Sequence, residues 1–294
     1  EAIAHENPKA PGAADLFLNA ALIRQGLLNY TLAVKDYEDY QKASKKSEKK
    51  EASFFIAEIR ERQTSWSMAR QQYEAYIESY PSNAARVVEA HYRIAWLYDN
   101  KLGKKSLASD WYKKTVGAQA RLAKNQPSVG AWYAAEAKFK LALPILEEFK
   151  AIRIPAGKNA EAAVQTKLKL IGKLNTELQQ VIKYDSGEQI VGALTVLGQA
   201  YDHMFKAIEG SPIPKGLKPE EMDMYKKEIR KVSEPFQKQA VDNFTTALDR
   251  GTELKVASSW TKEALRGMQT YDPANFVDYG DVALPAEIPD YMGL

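Results

Sequence analysis

Small and aromatic residues recur along this chain at the spacing of one helical face, and the recurrence itself has a period. Ala33, Tyr37 and Tyr40 are repeated 36 positions later by Ala69, Tyr73 and Tyr76, and then by Ala108, Tyr112, Thr115 and by Ala240, Phe244, Ala247. Residues three and four apart share a face of an α-helix. A second small residue precedes three of these alanines: Ala21 stands twelve positions before Ala33, Ala57 twelve before Ala69, and Ala95 thirteen before Ala108. The spacing predicts helical hairpins whose arms cross at the small pair, where a larger side chain would hold them apart. The turn within "NKLGKK" is expected to carry one residue more than the others. A period in the thirties predicts stacked hairpins, each burying its apolar face only with help from its neighbours.

Polar and apolar periodicity, read with its breakers, predicts helices over 13–25, 27–46, 51–63, 66–80, 84–100 and 105–124, punctuated by Gly26, Pro81 and Gly103. Pro8, Pro11 and Gly12 mark 1–12 as a flexible leader, and 13–124 as the regular repeats. A long irregular hairpin follows over 128–185: one helix kinked at Pro144, then one over 158–184 with Leu168, Ile171, Leu174, Leu178 and Ile182 on one stripe. The stretch 187–270 reads as a split repeat with a capping helix. Ser186 and Gln189 form a capping-box pattern ahead of Leu197, Gly198 and Tyr201. Pro219, Glu220 and Glu221 suit the first turn of a helix over 219–250, and a last helix spans 253–270. Over 271–294, Pro273, Pro285 and Pro289 with Asp272, Asp278, Asp281, Glu287 and Asp290 predict an extended acidic tail, docked through its apolar residues or free.

On these residues the chain resembles the tetratricopeptide repeat family, over 13–117 and, in broken form, over 189–250. Phe17, Ser53 and Leu194 stand where the family carries a tryptophan, and only the second copy has the closing proline, Pro81. The resemblance implies an all-α fold of antiparallel helix pairs, a tetratricopeptide-like solenoid wound into a superhelix, whose concave side holds a peptide or partner helix. The segment 73–98 is similar to repeats of bacterial cell-envelope proteins, and 212–276 to the C-terminal region of envelope and gliding-motility repeat proteins of gliding and predatory bacteria. That similarity implies a periplasmic or envelope-associated protein, with the cytoplasm as the alternative.

Composition narrows the chemistry. Hydrophobic residues make up 45% and charged ones 27%, ordinary for a folded chain. Cysteine is absent, which excludes disulfides, thiolate zinc sites and cysteine nucleophiles. The uncharged run from Gln189 to Tyr201 falls short of the ~18 apolar residues that a spanning helix needs, so no transmembrane segment is expected. A net charge of +3 gives no footing for nucleic acid, and Lys42, Lys45, Lys46, Lys49 and Lys50 read as a solvated helix end. His5, His91 and His203 lack the helical spacing of a metal pair, and Ser47 with Lys50 lies in a polar run without the pocket a serine–lysine nucleophile needs. Glu147–Glu148 and Glu220–Glu221 point in different directions as helix neighbours. No cofactor, metal or catalytic residue is expected.

Counted from the small residues, Phe54, Tyr92 and Trp96 fall on the face that the family turns toward its groove. Glu58, Glu61, Arg62, Glu89 and Asp99 rim them, and Leu18, Leu22, Gln199 and Asp202 complete the expected partner-binding groove. The alternative for the aromatics is packing against a neighbouring repeat. The functional expectation is a non-enzymatic protein–protein interaction scaffold of the bacterial envelope that grips a protein or peptide. Two alternatives stay open: the platform of a peptidoglycan-acting enzyme, and a cytoplasmic adaptor for peptide C-termini. The adaptor would need lysine and asparagine where this chain has Glu58, Trp96 and Gln199.

Overall fold

A computed structural model describes residues 2–45, 49–214 and 216–277, the side chains of residues 2, 3 and 158 excepted. Among the described residues there is no strand. The helices are α1 (Ala2–Glu6), α2 (Ala13–Gly26), α3 (Tyr30–Ala43), α4 (Lys49–Arg62), α5 (Trp66–Ser79), α6 (Ala84–Asn100), α7 (Lys105–Leu122), α8 (Ala131–Ala151), α9 (Ala160–Ile182), α10 (Gly187–Glu209), α11 (Pro219–Glu253) and α12 (Ser259–Tyr271), with a 3₁₀ turn at Gly157–Asn159. They pack largely against their neighbours in chain order, and the chain divides into two units, Glu1–Leu141 and Ala142–Leu294.

In the first unit α2–α3, α4–α5 and α6–α7 pair as hairpins. The small residues sit at the crossings: Ala21, Ala33, Ala57, Ala69, Ala95 and Ala108 are all buried. The motif tyrosines reach back to the arm before them. Tyr37 donates to Gln25 (2.8 Å), Tyr73 to Glu61 (3.0 Å) and Tyr112 to Asp99 (3.2 Å), so one hydroxyl bond recurs at the period of the repeat. The turns repeat as well. Leu28 and Thr64 take left-handed backbone at φ 58 and 57, and the next N–H groups, of Asn29 and Ser65, close on Arg24 O (2.8 Å) and Arg60 O (2.9 Å), satisfying carbonyls that a helix end leaves open. The α6–α7 turn is longer. Gly103 holds its left-handed position at φ 63 and Lys104 N–H reaches Tyr98 O, 2.9 Å away, which is the extra residue behind the thirteen-residue spacing.

Two expectations need correction here. Residues 2–6, expected as part of a flexible leader, form α1: Ala4 is buried and His5 meets the Phe17 ring edge-on at 5.0 Å, so the segment covers an apolar side chain that α2 and α3 leave bare. The second arm of the first hairpin is shorter than 27–46, because Asn29 takes the N-cap position, accepting from Leu32 N–H at 3.4 Å. Part of the lysine cluster, residues 46–48, lies outside the described residues.

In the second unit α10 is central, packing on α9, α11 and α12. Gly198 of α10 and Gly267 of α12 approach the Phe244 ring of α11 so closely that a Cβ on either would lie 2.6 Å from ring carbons. Thr195 Oγ1 donates to Val191 O (2.8 Å) and lies 3.2 Å from Trp260 O, joining α10 to α12. Ser186 does sit at the N-cap of α10, but its hydroxyl bonds the Gln189 side chain rather than a backbone N–H. At α11 Pro219 opens the helix and Glu221 accepts from Lys218 N–H at 2.8 Å. Lys167 of α9 is wholly buried: its ammonium donates to Phe149 O (2.7 Å) and Ile152 O (3.1 Å), capping the end of α8, where the helix dipole favours a cation. Beyond α12, Asn275 folds back on Asp272 and Phe276 rests partly on the α10–α12 core. The tail expected to be extended over 271–294 thus begins as the end of α12 and a turn at 273–275, and its remainder, 278–294, lies outside the described residues.

Candidate functional site

Glu58, Glu61 and Arg62 from the end of α4, Trp66 from the start of α5, and Arg93, Trp96 and Lys101 from α6 and its cap line a cleft of about 270 Å³ in the first unit. The α4–α5 turn places Trp66 at its mouth: with Thr64 in the left-handed region, the chain reverses in three residues and α5 begins on Trp66 itself. Trp96 lies one helical turn from Arg93, and Lys101 follows as the C-cap of α6. The exposed Lys101 ammonium sits between the two half-buried indoles, 5.0 Å from the Trp66 ring centre and 5.3 Å from that of Trp96. Those are cation–π distances.

Deeper in, the charges are paired. Tyr73 donates to Glu61, whose other oxygen lies 3.5 Å from Arg93. Arg93 also approaches Glu89 at 3.4 Å, and Arg86 joins Glu89 (3.0 Å) to Glu51 (2.9 Å). Burial first, then the Glu61 charge, pushes the Tyr73 hydroxyl far above its ordinary range, so it stays a donor. Glu58 stands outside this network, its carboxylate with no hydrogen bond or direct ion pair among the described residues. Burial, then the neighbouring Glu89 carboxylate, raises its pKa, against the pull of Arg86, Arg93 and Arg62. Arg62 is exposed and likewise makes no direct pair among the described residues.

The expected groove residues thus part company. Glu58, Glu61, Arg62 and Trp96 come together in the cleft. Phe54 and Tyr92 do not form an open strip with Trp96. Phe54 is fully buried, edge-on to Tyr73 (5.4 Å) and Tyr76 (5.1 Å) and covered by the Arg86 guanidinium at 4.3 Å. Tyr92 is buried at 7% exposure beneath Trp132 and Tyr133 of α8, whose rings lie 5.5 and 5.4 Å away. Asp99 is engaged within its own hairpin by Lys105 and Tyr112. Leu18 packs partly on the α2–α4 core and Leu22 is exposed; neither lines the cleft.

Gln199 and Asp202 belong to the second unit, where they line a depression of about 430 Å³ with Lys150, His203 and Lys206. Asp202 is held there by Tyr271 (2.6 Å) and Lys206 (2.8 Å). His203 faces Phe149 edge-on and lies 3.4 Å from the Lys167 ammonium; burial, then Lys167 and Lys150, lowers its pKa. Burial pushes the Lys167 ammonium down to about 8, while its two carbonyl acceptors favour the charged form.

Sequence reasoning missed Trp66, Arg93 and Lys101. Trp66 heads its helix outside the repeated spacing, and Lys101 lies in a turn, so periodicity flagged neither. Among the described residues no group of three or more His, Asp and Glu side chains is arranged to hold a metal ion. Neither a protein-family model nor a curated protein matches the chain.

Proposed function

We propose that the chain is a non-enzymatic interaction scaffold of tetratricopeptide-like hairpins, and that its first unit takes a segment of a partner protein in the α4–α6 cleft. The observation that carries this reading is the pair of indoles at the cleft mouth: Trp66 and Trp96 stay half-exposed while the motif aromatics Tyr37, Tyr73, Tyr112 and Phe244 are packed away. Beside them Glu58 and Arg62 have charge to offer an incoming chain. Aromatic anchors ringed by polar groups are the usual make-up of residues that dominate binding energy. The likeness of 73–98 and 212–276 to envelope repeat proteins supports a place in the bacterial envelope or periplasm. No helix among the described residues is long and apolar enough to cross a membrane.

The test is selection from a displayed random-peptide library on the intact chain, with counter-selection on Trp96→Ala. Peptides that bind the parent and lose roughly thirtyfold in affinity on the variant, a loss of about 2 kcal/mol, bear the reading out. A library that yields only binders indifferent to Trp96 overturns it.

A further inference from the structure

We propose that Trp66 and Trp96 form a two-walled cage for the ammonium of a lysine side chain on the partner, and that the chain's own Lys101 occupies this cage until the partner displaces it. The proposal names the ligand chemistry of the cleft just described and rests on that reading.

Three observations converge on a cation. The cage already holds one, the Lys101 ammonium, within 5.0 and 5.3 Å of the two ring centres. An indole face attracts positive charge through its quadrupole, more strongly than any other aromatic side chain. Second, the resident is weakly held. Lys101 is exposed, its ammonium has no hydrogen bond or ion pair among the described residues, and it sits on the cap of α6 rather than within the helix. An incoming ammonium therefore trades one cation–π contact for another without breaking a salt bridge. Third, once Lys101 leaves, the cleft sets Glu58 and Glu61 against Arg62 and Arg93, and one of those carboxylates has no direct partner. Glu61 and Glu89 are spoken for by Tyr73, Arg93 and Arg86, but Glu58 is not, and it is half-buried in the same cleft. A carboxylate placed in low dielectric gains more from a cation than one in water. Lysine is the occupant proposed because the resident group is itself an ammonium at two-wall distance, a compact charge on a flexible stem.

Displacement makes Lys101 a competitor within the molecule, and this sets the test. The probes are a blocked pentapeptide with one central lysine between glycines and its norleucine counterpart, which keeps the stem and lacks the charge. Binding is followed through the ¹⁵N–¹H signals of the Trp66 and Trp96 indoles in the full chain, assigned by single Trp→Phe variants. The lysine peptide is expected to shift both signals and the norleucine peptide neither. Lys101→Ala should bind the lysine peptide about two- to fivefold more tightly, the factor one exposed cation–π contact supplies. Glu58→Gln should weaken binding without lowering the melting temperature of the first unit. Equal binding of the norleucine peptide, or unchanged or weaker affinity in Lys101→Ala, overturns the cage. Helicity of each variant by circular dichroism guards against a folding artefact, and Trp96→Phe, which keeps the ring packing, gives a second route to the same answer. If library peptides depend on Trp96 yet carry no basic residue, the cage falls while the scaffold reading stands. If none depends on Trp96, both fall.

Discussion

Replacing Gly198 with alanine puts a methyl group where the Phe244 ring already stands. The added Cβ would lie 2.6 Å from Cδ1 and Cε1 of that ring, against an ordinary carbon–carbon separation of about 3.5–4.0 Å. The overlap is therefore about 1 Å, and the ring has nowhere to go. Its tip faces Gly267 of α12, where a Cβ would also lie 2.6 Å from ring carbons. Overpacking of this kind costs about 1–3 kcal/mol, while glycine to alanine inside a helix returns roughly 1 kcal/mol. A net loss of up to about 2 kcal/mol is expected, a fall of up to about 8 °C in the melting temperature of a unit this size. The informative experiment is a double-mutant cycle with Phe244→Leu, by denaturant titration. With the ring gone, Gly198→Ala should cease to cost anything and should gain from helix propensity, giving a coupling of at least ~1 kcal/mol. If Gly198→Ala raises stability in the parent chain and the two changes add, the close approach of α10 to α11 is not what fixes this unit.

Two further outcomes are expected. Phe54→Ala should unfold rather than unbind: emptying a fully buried ring site costs about 3–5 kcal/mol, so its melting temperature should drop while Trp96→Ala melts close to the parent. The depressed His203 gives the second unit a pH dependence. Its folded pKa lies below the unfolded value of 6.5, so the unfolded chain binds the proton first, and stability is lost as pH falls through about 6.5 toward the folded pKa. Lys167 and Lys150 oppose that proton and Asp202 favours it. His203→Phe should flatten the fall in denaturation midpoint between about pH 7 and 5.

The hairpins could be read in the sequence because a close helix crossing tolerates only small side chains. Ala57 with Ala69, and Ala95 with Ala108, mark such crossings whatever surrounds them. The turns were hidden: Leu28 and Thr64 hold left-handed backbone that favours glycine, and nothing in either residue type announces it. The groove was misread for a related reason. Counting along α4 and α6 gives the direction of Phe54 and Tyr92 but not what covers them. Arg86 lies over the first, and the irregular α8 brings Trp132 and Tyr133 over the second. The cleft that did form owes its cation site to a helix-heading tryptophan and a capping lysine, which belong to no repeated spacing.

Lys167 has one more consequence. It is the lysine that the fold seals away among the described residues, its amine enclosed where α9 meets the end of α8. Amine-directed reagents consume surface lysines at once, but they reach this one only when α8 and α9 part. The half-time of its labelling is thus a clock for the breathing of that joint, ticking without any probe introduced into the chain and readable peptide by peptide in a mass spectrum.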